Sequence, residues 1–232
     1  IKSITKNGKN NAEEGRSSFA QGHRVLFNTS VDFKWNENFK TTIGLLYDGT
    51  VGQPFSYVYD GEMLNDDSRD NALFFVPERA SDVNLVPYTD DGRTVTVAEQ
   101  QAALDAFIDG NDYLSSRRGQ YSERNGDWGK WSHIVDLRVV QDIKLKGKKN
   151  HTFQITADIF NFTNLINKNW GVRYFGNTTS VLQVETAPAD NNGLGEFTFD
   201  PSRVEQVDNL IDDRGLQSSR WQAQIGFRYT FN

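Results

Sequence analysis

The chain of 232 residues contains no cysteine, which excludes disulfide bonds and thiolate metal sites. It also has no apolar run near the ~20 residues of a transmembrane helix, and its mean hydropathy is -0.63. These features exclude a helical membrane protein but not a membrane β-barrel, whose polar interior and loops dilute hydropathy. Positive charge is lacking as well, because the net charge is -6. Nucleic-acid-binding proteins normally carry a basic patch, so no nucleic-acid partner is expected.

The most informative stretch is the C-terminal segment, in which apolar and polar residues alternate. The apolar positions are Trp221, Ala223, Ile225, Phe227, Tyr229 and Phe231. A period of two indicates a β-strand with two different faces. The length of the segment suits a tilted transmembrane barrel strand of about 9–11 residues. Strands of soluble sandwiches are typically shorter, about 5–6 residues.

Four further segments show the same alternation, so the sequence predicts five long strands in total. They are residues 25–35, 39–47, 133–145 and 153–159. Residues 36–38 and the sequence KGKKN (146–150) are short enough to be hairpin turns. Polar residues alternate with the apolar ones along each run. On residues 133–145 and 153–159 they include five charged side chains, Asp136, Arg138, Asp142, Lys144 and Asp158, which we expect to form ion pairs inside the barrel.

Two long excursions separate the strands, at residues 51–130 and 164–219. Connections beyond ~15 residues are uncommon in compact soluble domains, whereas outer-membrane barrels combine long outer loops with short periplasmic turns. A short helix is predicted at residues 98–108, ending at Gly110, and short strands at 180–184 and 196–199. The predicted fold is therefore all-β, an antiparallel transmembrane β-barrel segment with long extracellular loops.

Five strands are too few to close such a barrel, because membrane barrels begin at eight strands. An open strand edge in lipid leaves backbone groups without hydrogen-bond partners. We therefore expect the outer edge of the terminal strand, residues 221–231, to pair with a strand outside this chain. Residues 1–5 are expected to cover the free edge of the strand that begins at Arg24. Ile1 opens the chain without a recognisable signal peptide, so a removed leader or a longer protein is expected.

Several segments resemble the closing part of TonB-dependent outer-membrane receptors, above all the Oar-like receptors of Bacteroidota. They are RRGQYSERNG (117–126), WSHIVDLRVVQDIKL (131–145) and DIFNFTNLINKNWG (158–171). The segments GRSSFAQGHRVLFNTSV (15–31), SYVYDG (56–61), LFFVP (73–77) and WQAQIGFRYTFN (221–232) also fit. The resemblance covers most of the chain. It implies that residues 1–232 are the C-terminal portion of a 22-stranded barrel, with the plug domain and earlier strands lying elsewhere.

The function implied by this resemblance is active, TonB-driven uptake of a bulky ligand across the outer membrane of a Gram-negative bacterium. The implied partners are outer-membrane lipids, the remaining strands and plug of the same receptor, and the TonB complex through the missing N-terminal part. The alternative is a non-transport barrel that docks surface lipoproteins or other envelope machinery. No catalytic constellation of Ser/His or Asp/His can be assembled on one rim, so neither an enzyme nor a cofactor is expected.

Four residues of the predicted extracellular loops are candidates for ligand binding. Arg117 and Arg118 lie in a charged segment with Glu123 and Arg124, and could bind an anionic ligand or sugar phosphates. Packing within the loop is the competing interpretation and is favoured. Trp128 and Trp170, like Trp131, lie near strand ends, where Trp most often anchors a protein at a membrane interface. Stacking against a sugar ring is the alternative for these tryptophans.

Metal and catalytic roles have little support in the sequence. His23, His133 and His151 are scattered and show no ligand spacing. The acidic run of residues 65–71, NDDSRDN, has residue types that bind calcium. It lacks the spacing and the closing Glu of an EF-hand, so a solvated acidic loop is favoured over a calcium site.

Overall fold

The computed structural model describes residues 4–8, 10, 14–64, 66–145, 151–174, 178–188, 193–204 and 219–231. The chain forms two compact units. Unit 1 comprises Ile1–Gln21, Gln53–Gly129 and Gly176–Asn209. Unit 2 comprises Gly22–Gly52, Lys130–Phe175 and Leu210–Asn232. Unit 2 holds the five predicted long strands, and unit 1 contains most of the two excursions between them.

The secondary structure is mostly β, as the sequence predicts. The strands are β1 (Arg24–Lys34), β2 (Phe39–Thr50), β3 (Pro54–Phe55), β4 (Tyr57–Asp60), β5 (Phe75–Val76), β6 (Tyr88–Asp90), β7 (Arg93–Val95), β8 (Gln120–Tyr121), β9 (Asp127–Trp128), β10 (Ser132–Leu145), β11 (His151–Phe160), β12 (Thr179–Thr186), β13 (Glu196–Thr198) and β14 (Gln222–Phe231). The α-helices are α1 (Val97–Asp109), α2 (Asp112–Ser115) and α3 (Phe162–Ile166), and a 3₁₀ turn spans Ala80–Asp82.

Unit 2 is built on one five-stranded sheet in the order β1-β2-β10-β11-β14. Every neighbouring pair is antiparallel, so the predicted strands and their directions are confirmed. β1 and β14 are the two ends of this order. Within the described residues the sheet is therefore open, and the outer edge of β14 pairs with no other strand, as predicted. The predicted turn at residues 146–150 lies outside the described residues.

The register of the sheet places the apolar positions of neighbouring strands side by side. Val31 pairs with Ile43, which also pairs with Val139. The same row continues across Ala157 to Ile225. Since side chains alternate between the faces of a strand, this register gathers the apolar residues of all five strands onto one face. A shift by one residue on any strand would move its apolar set to the opposite face.

In unit 1 the described parts of the two excursions are folded, although their sequences lack a long repeating pattern. The segment around Tyr57 and the segment around Thr179 meet as parallel strands, β4 and β12, and β12 also pairs with β13. The predicted strand pieces at 180–184 and 196–199 are thus confirmed. The core of unit 1 comprises Phe55, Tyr57, Tyr59, Ala72, Phe74, Val76, Ala80, Leu85, Leu104, Ile108, Leu114, Val181, Leu182, Phe197, Phe199 and Val204.

Helix α1 confirms the predicted helix and begins one residue earlier, at Val97. Thr96 caps its N-terminus: the hydroxyl accepts a hydrogen bond from the Glu99 N–H, and the Glu99 carboxylate accepts one from the Thr96 N–H. This capping box satisfies N–H groups that have no partner within the helix. The buried residues Gln100, Leu104 and Ile108 recur every four positions and face the core. The Gln100 side chain adds two hydrogen bonds to this contact. Its amide nitrogen donates to the Val86 carbonyl, and its amide oxygen accepts from the Phe199 N–H.

The expectation that residues 1–5 cover the edge of β1 is wrong for Thr5. The Thr5 N–H donates to the Asn71 carbonyl and its own carbonyl accepts from Leu73, both at 2.9 Å. Thr5 is consequently a buried bridge residue of unit 1. Because both of its backbone groups are already bonded there, neither is available to β1.

The helices are short. Among the described residues, none is both long enough and apolar enough to cross a membrane.

Candidate membrane-facing surface

The most prominent surface of unit 2 is the apolar face of the five-stranded sheet. Its members are Val25, Phe27, Val31, Phe33, Phe39, Ile43, Leu45, Tyr47, Val135, Leu137, Val139, Ile143, Phe153, Ile155, Ala157, Ile159, Ala223, Ile225, Phe227, Tyr229 and Phe231. None of them is buried. Ile225 is 68% exposed and Phe227 69% exposed. Soluble proteins rarely expose so large a contiguous apolar patch, and such patches mark interaction surfaces.

The polar groups on this apolar face bond to one another. The Thr41 hydroxyl donates to Gln141 Oε1 at 2.6 Å, and the Trp35 indole N–H donates to Thr41 Oγ1 at 2.8 Å. The Gln141 amide nitrogen donates to the Lys40 and Asp142 carbonyls. Both polar ends of Gln141 are therefore satisfied without water. An unpaired polar group costs about 2–7 kcal/mol when it is transferred from water to an apolar environment, and these bonds would avoid that cost if the face were covered.

Two Tyr–His pairs of the same design lie at opposite ends of the apolar face. The Tyr47 hydroxyl lies 2.8 Å from His133 Nδ1, and Trp131 stacks on the His133 ring at a centroid distance of 6.2 Å. At the other end the Tyr229 hydroxyl lies 2.6 Å from His151 Nδ1. Aromatic side chains with one polar atom suit the boundary between an apolar layer and water. The pairs therefore delimit the apolar face along the strands.

The opposite face of the sheet carries charged residues that link neighbouring strands. Lys40 of β2 lies 3.7 Å from Asp32 of β1 and 3.4 Å from Asp142 of β10. Arg138 and Asp158 connect β10 to β11 at 3.6 Å. Of the five charged residues expected to form ion pairs, Arg138 and Asp158 pair with each other, and Asp142 pairs with Lys40, which the prediction did not include. A depression of about 380 Å³ is lined by Gly44, Arg138 and Asp158, among other residues. The sheet thus has one apolar and one charged face.

A compact loop follows β11 and is held by two asparagines. Asn161 adopts a left-handed backbone conformation, with φ of 52°, and its side-chain amide donates to the Gly171 carbonyl at 2.8 Å. The Asn164 amide donates to the Lys168 and Trp170 carbonyls, and its oxygen accepts from the Trp221 N–H at 3.3 Å. These bonds close residues 161–171 into a loop that is attached to the start of the β14 region.

The candidate ligand residues Arg117 and Arg118 make contacts within unit 1. Arg118 donates to the Pro77 and Glu78 carbonyls and to the carboxylates of Asp105 and Asp109, at 2.8–3.2 Å. The Asp109 carboxylate is the main cause of a raised pKa for the Arg118 guanidinium. Arg117 donates to Glu123 at 2.6 Å and lies over the Tyr113 ring. These contacts of Arg117 and Arg118 are of the kind expected from packing within the loop, which is the interpretation that the sequence favours.

The two candidate tryptophans belong to different units. Trp128 forms part of β9 in unit 1, where the Arg16 guanidinium lies over its ring at 4.7 Å. Arg16 also donates to the Asn125 carbonyl at 2.7 Å. Trp170 lies in the loop of residues 161–171 in unit 2 and is 52% exposed. Arg117, Arg118 and Trp128 therefore lie in unit 1, where each has different contact partners, and Trp170 lies in unit 2.

The acidic loop of unit 1 is organised by hydrogen bonds rather than around a metal-ligand group. Asn71 donates to the Asp66 carboxylate, and the Asp70 carboxylate accepts from the Gly61 N–H. Burial, followed by the nearby Asp70 carboxylate, raises the pKa of Asp60. Among the residues that the structure describes, no group of three or more His, Asp or Glu side chains is placed to hold a metal ion.

Sequence reasoning missed the asparagine pair and the contact of Arg16 with Trp128. Asn161 and Asn164 are three positions apart in the sequence, and Asn is common where the backbone turns left-handed. That spacing, immediately after a long strand, is the signal that could have identified the loop. No comparable signal exists for Arg16, because 112 positions separate it from Trp128 in the sequence.

Comparison with known proteins gives one partial similarity. No protein-family model matches the chain, and no solved structure does. A capsid protein of Cryptosporidium parvum virus 1 (strain KSU-1) is 32% identical over 81 residues, which is 32% of this chain and 25% of that protein. The chain thus spans about a quarter of the length of the curated relative it matches. A match of this extent does not show a family.

Proposed function

We propose that the chain forms part of a TonB-dependent outer-membrane receptor, in which the sheet of unit 2 crosses the outer membrane as part of a β-barrel. The observation that carries the proposal is the two-faced sheet, with a continuous exposed apolar face on one side and a charged face on the other. An outer-membrane barrel has this arrangement, with an apolar band facing lipid and a polar interior. The resemblance of the sequence to the closing part of such receptors supports the same assignment.

The spacing of the two Tyr–His pairs supports a membrane-crossing sheet. Along β10, twelve residue steps separate His133 from Leu145, and Leu145 pairs with His151 of the second Tyr–His pair. Twelve steps correspond to about 40 Å along a strand. At the tilt of barrel strands, about 35–45°, they rise about 30 Å along the membrane normal. This is enough to place both aromatic ends outside an apolar band of about 25 Å.

The open edges of the sheet define what the proposal requires. A strand edge in lipid carries unpaired N–H and C=O groups, so the barrel needs further strands next to β1 and β14. In the proposal these strands, a plug domain and the segment that contacts TonB come from outside residues 1–232. Unit 1 then lies on the extracellular side, where the ligand is captured before TonB-driven uptake.

The orientation can be tested with single cysteines in the assembled receptor, since the chain has none of its own. A cysteine at Asp67 of unit 1 should react with a membrane-impermeant maleimide on intact cells. A cysteine at Glu37, in the turn between β1 and β2, should react only after the outer membrane is permeabilised. The reverse result would invert the orientation, and equal labelling of both in intact cells would contradict a membrane-crossing sheet.

A second candidate function is a barrel that docks surface lipoproteins without transport, which the separate hydrophobic core of unit 1 favours. Co-purification of the assembled protein with the periplasmic domain of TonB supports transport. Co-purification with lipoproteins, and not with TonB, supports docking.

A capsid-forming role, which the name of the viral relative assigns to that protein, predicts large particles without lipid. Size-exclusion chromatography distinguishes this outcome from the other two.

A further inference from the structure

The loop that follows β11 exposes apolar side chains on a rigid support. Leu165, Ile166 and Trp170 are 42%, 60% and 52% exposed. We call residues 161–171 the asparagine-clamped loop. Its backbone is fixed by the amides of Asn161 and Asn164 and by main-chain bonds such as Asn167 N–H to the Thr163 carbonyl at 3.0 Å. A fixed backbone that presents apolar side chains to the outside is typical of a binding surface.

Gly171 shows how tightly the loop is closed. Its φ is +62°, and a Cβ at this position would lie 1.8 Å from Asn161 Oδ1. Any other residue would displace the Asn161 side chain, which holds the Gly171 carbonyl. The backbone of Asn161 is also held in place, because its main-chain N–H donates to the Asp136 carboxylate at 2.8 Å. The exposed apolar residues are therefore presented in one arrangement.

The position and charge of the loop indicate what covers it. Asn164 Oδ1 accepts from the Trp221 N–H, and Trp221 continues the apolar side of β14 towards Ile225. The loop is thus attached to the residue that precedes β14, one of the strands that carry the apolar face of the sheet. Residues 161–171 contain one charged side chain, the exposed Lys168, and no acidic residue. An apolar surface with a single flanking cation suits the interface of a lipid bilayer, where anionic headgroups lie beside acyl chains.

We propose that the asparagine-clamped loop is an interfacial anchor that immerses Leu165, Ile166 and Trp170 in the bilayer surface, at the end of the sheet that carries Trp131. The inference rests on the proposed function, because it needs the apolar face of the sheet to lie in the same membrane. It assigns Trp170 to lipid rather than to a sugar ligand. It also makes the loop a second point of membrane attachment beside the strands.

Site-directed spin labelling of the assembled receptor in phospholipid vesicles tests the anchor. Three single-cysteine variants are compared. Ile166→Cys lies on the loop, Ile225→Cys lies on the apolar face, and Asn169→Cys lies at an exposed position of the loop next to Lys168. Oxygen partitions into lipid and a nickel chelate into water. We expect oxygen to relax the labels at Ile166 and Ile225 more strongly than nickel does, and nickel to dominate at Asn169.

Each outcome separates the anchor from the proposed function. If nickel dominates at Ile166 while oxygen dominates at Ile225, the anchor is wrong and the membrane-crossing sheet stands. Nickel dominating at Ile225 overturns the proposed function itself. Exclusion of both reagents from an immobilised label at Ile166 indicates cover by protein, which also overturns the anchor. In a Gly171→Ala background, the oxygen preference at Ile166 should be lost and that at Ile225 retained, and its retention shows that the variant has folded.

Discussion

The two units use apolar residues in opposite ways. Unit 1 encloses a cluster of large apolar side chains, and Phe74 of this cluster is fully buried. All members of the main hydrophobic core of the described residues belong to unit 1. Unit 2 presents its apolar side chains on an open sheet face, where Phe227 is mostly exposed. Unit 1 therefore resembles a water-soluble fold, stabilised by removing apolar surface from water. Unit 2 presents the surface that a lipid-facing sheet requires.

The contacts of the charged residues also differ between the two units. In unit 1, Arg118 ties a loop to carbonyls and carboxylates of neighbouring segments. In unit 2, the cross-strand pairs of Lys40 and Arg138 lie on the face opposite the apolar one. These charges are therefore separated from the apolar face by the thickness of the sheet. The comparison predicts that equivalent substitutions in the two units have different effects in water and in lipid.

The largest effect is expected from emptying the core of unit 1. Phe74→Ala should lower the free energy of unfolding of unit 1 by about 3–5 kcal/mol, because it removes buried surface and leaves a cavity. Phe19, which is 92% exposed in the same unit, provides the control, and Phe19→Ala should have little effect. Amide hydrogen exchange of unit 1 measures both. Equal losses of protection in the two variants would contradict a packed core around Phe74.

The next effect concerns the apolar face of unit 2. Ile225→Arg should destabilise the assembled barrel in phospholipid bilayers by about 2–4 kcal/mol, because Ile225 lies midway between the aromatic ends and the proposed function places it near the bilayer midplane. The neighbouring residue Gln224 points to the opposite face, so Gln224→Arg is the matched control and should cost much less. Urea-induced unfolding from bilayers measures the difference. A larger loss for Gln224→Arg would assign the two faces the other way round.

A smaller effect is expected at the guanidinium of Arg118. Arg118→Ala removes hydrogen bonds to two carbonyls and two carboxylates, and should lower the stability of unit 1 by about 2 kcal/mol. Arg118→Lys should recover only part of this, because an ammonium lacks the planar fork of donors. Arg79 pairs with Asp82 on the exposed surface, so Arg79→Ala should change stability by less than about 0.5 kcal/mol. Chemical denaturation monitored by tryptophan fluorescence compares the three.

The smallest effect is a pH dependence at the start of α1. The Thr96 N–H, the Thr96 hydroxyl and Arg93 lower the pKa of Glu99 below its ordinary value. A carboxyl group with a lowered pKa in the folded state contributes stability above its unfolded pKa, about 4.3 for Glu, and loses it as the pH falls through the folded value. The protection factors of the amides in the first turn of α1, which correct for the pH dependence of intrinsic exchange, should fall in that acidic range. In Glu99→Gln, which retains capping groups, this fall should be absent.

The five long strands could be predicted because their apolar positions repeat every two residues over seven or more positions, as in Trp221–Phe231. Helix α1 was predictable for a related reason, the spacing of Gln100, Leu104 and Ile108 before Gly110. In both cases the element itself carries the pattern of its burial. The cross-strand pairs of Arg138 with Asp158 followed from the same alternation, once the strands were assigned.

The fold of unit 1 could not be predicted in this way. Its strands, such as Tyr57–Asp60, are too short to show a period, and their partners are remote in sequence. Tyr57 pairs with Thr179, and Thr5 bonds to Asn71 and Leu73. Such contacts depend on which segments pack together, which no local pattern records. The roles of Arg118 and Asn164 were hidden for the same reason, because each bonds to backbone carbonyls, whose identity the side-chain sequence does not encode.

The sequence by itself determined that this protein has a sheet with one apolar and one polar face, since alternation along a strand translates directly into the two sides of a sheet. The tertiary structure decided three other features: the order of the strands and their register, the packing of two distant excursions into one core, and the clamping of the loop around Trp170. These depend on contacts between residues far apart in the chain. The free energy of such contacts depends on pairs of segments rather than on either segment alone. The sequence of a single strand or loop therefore does not predict them.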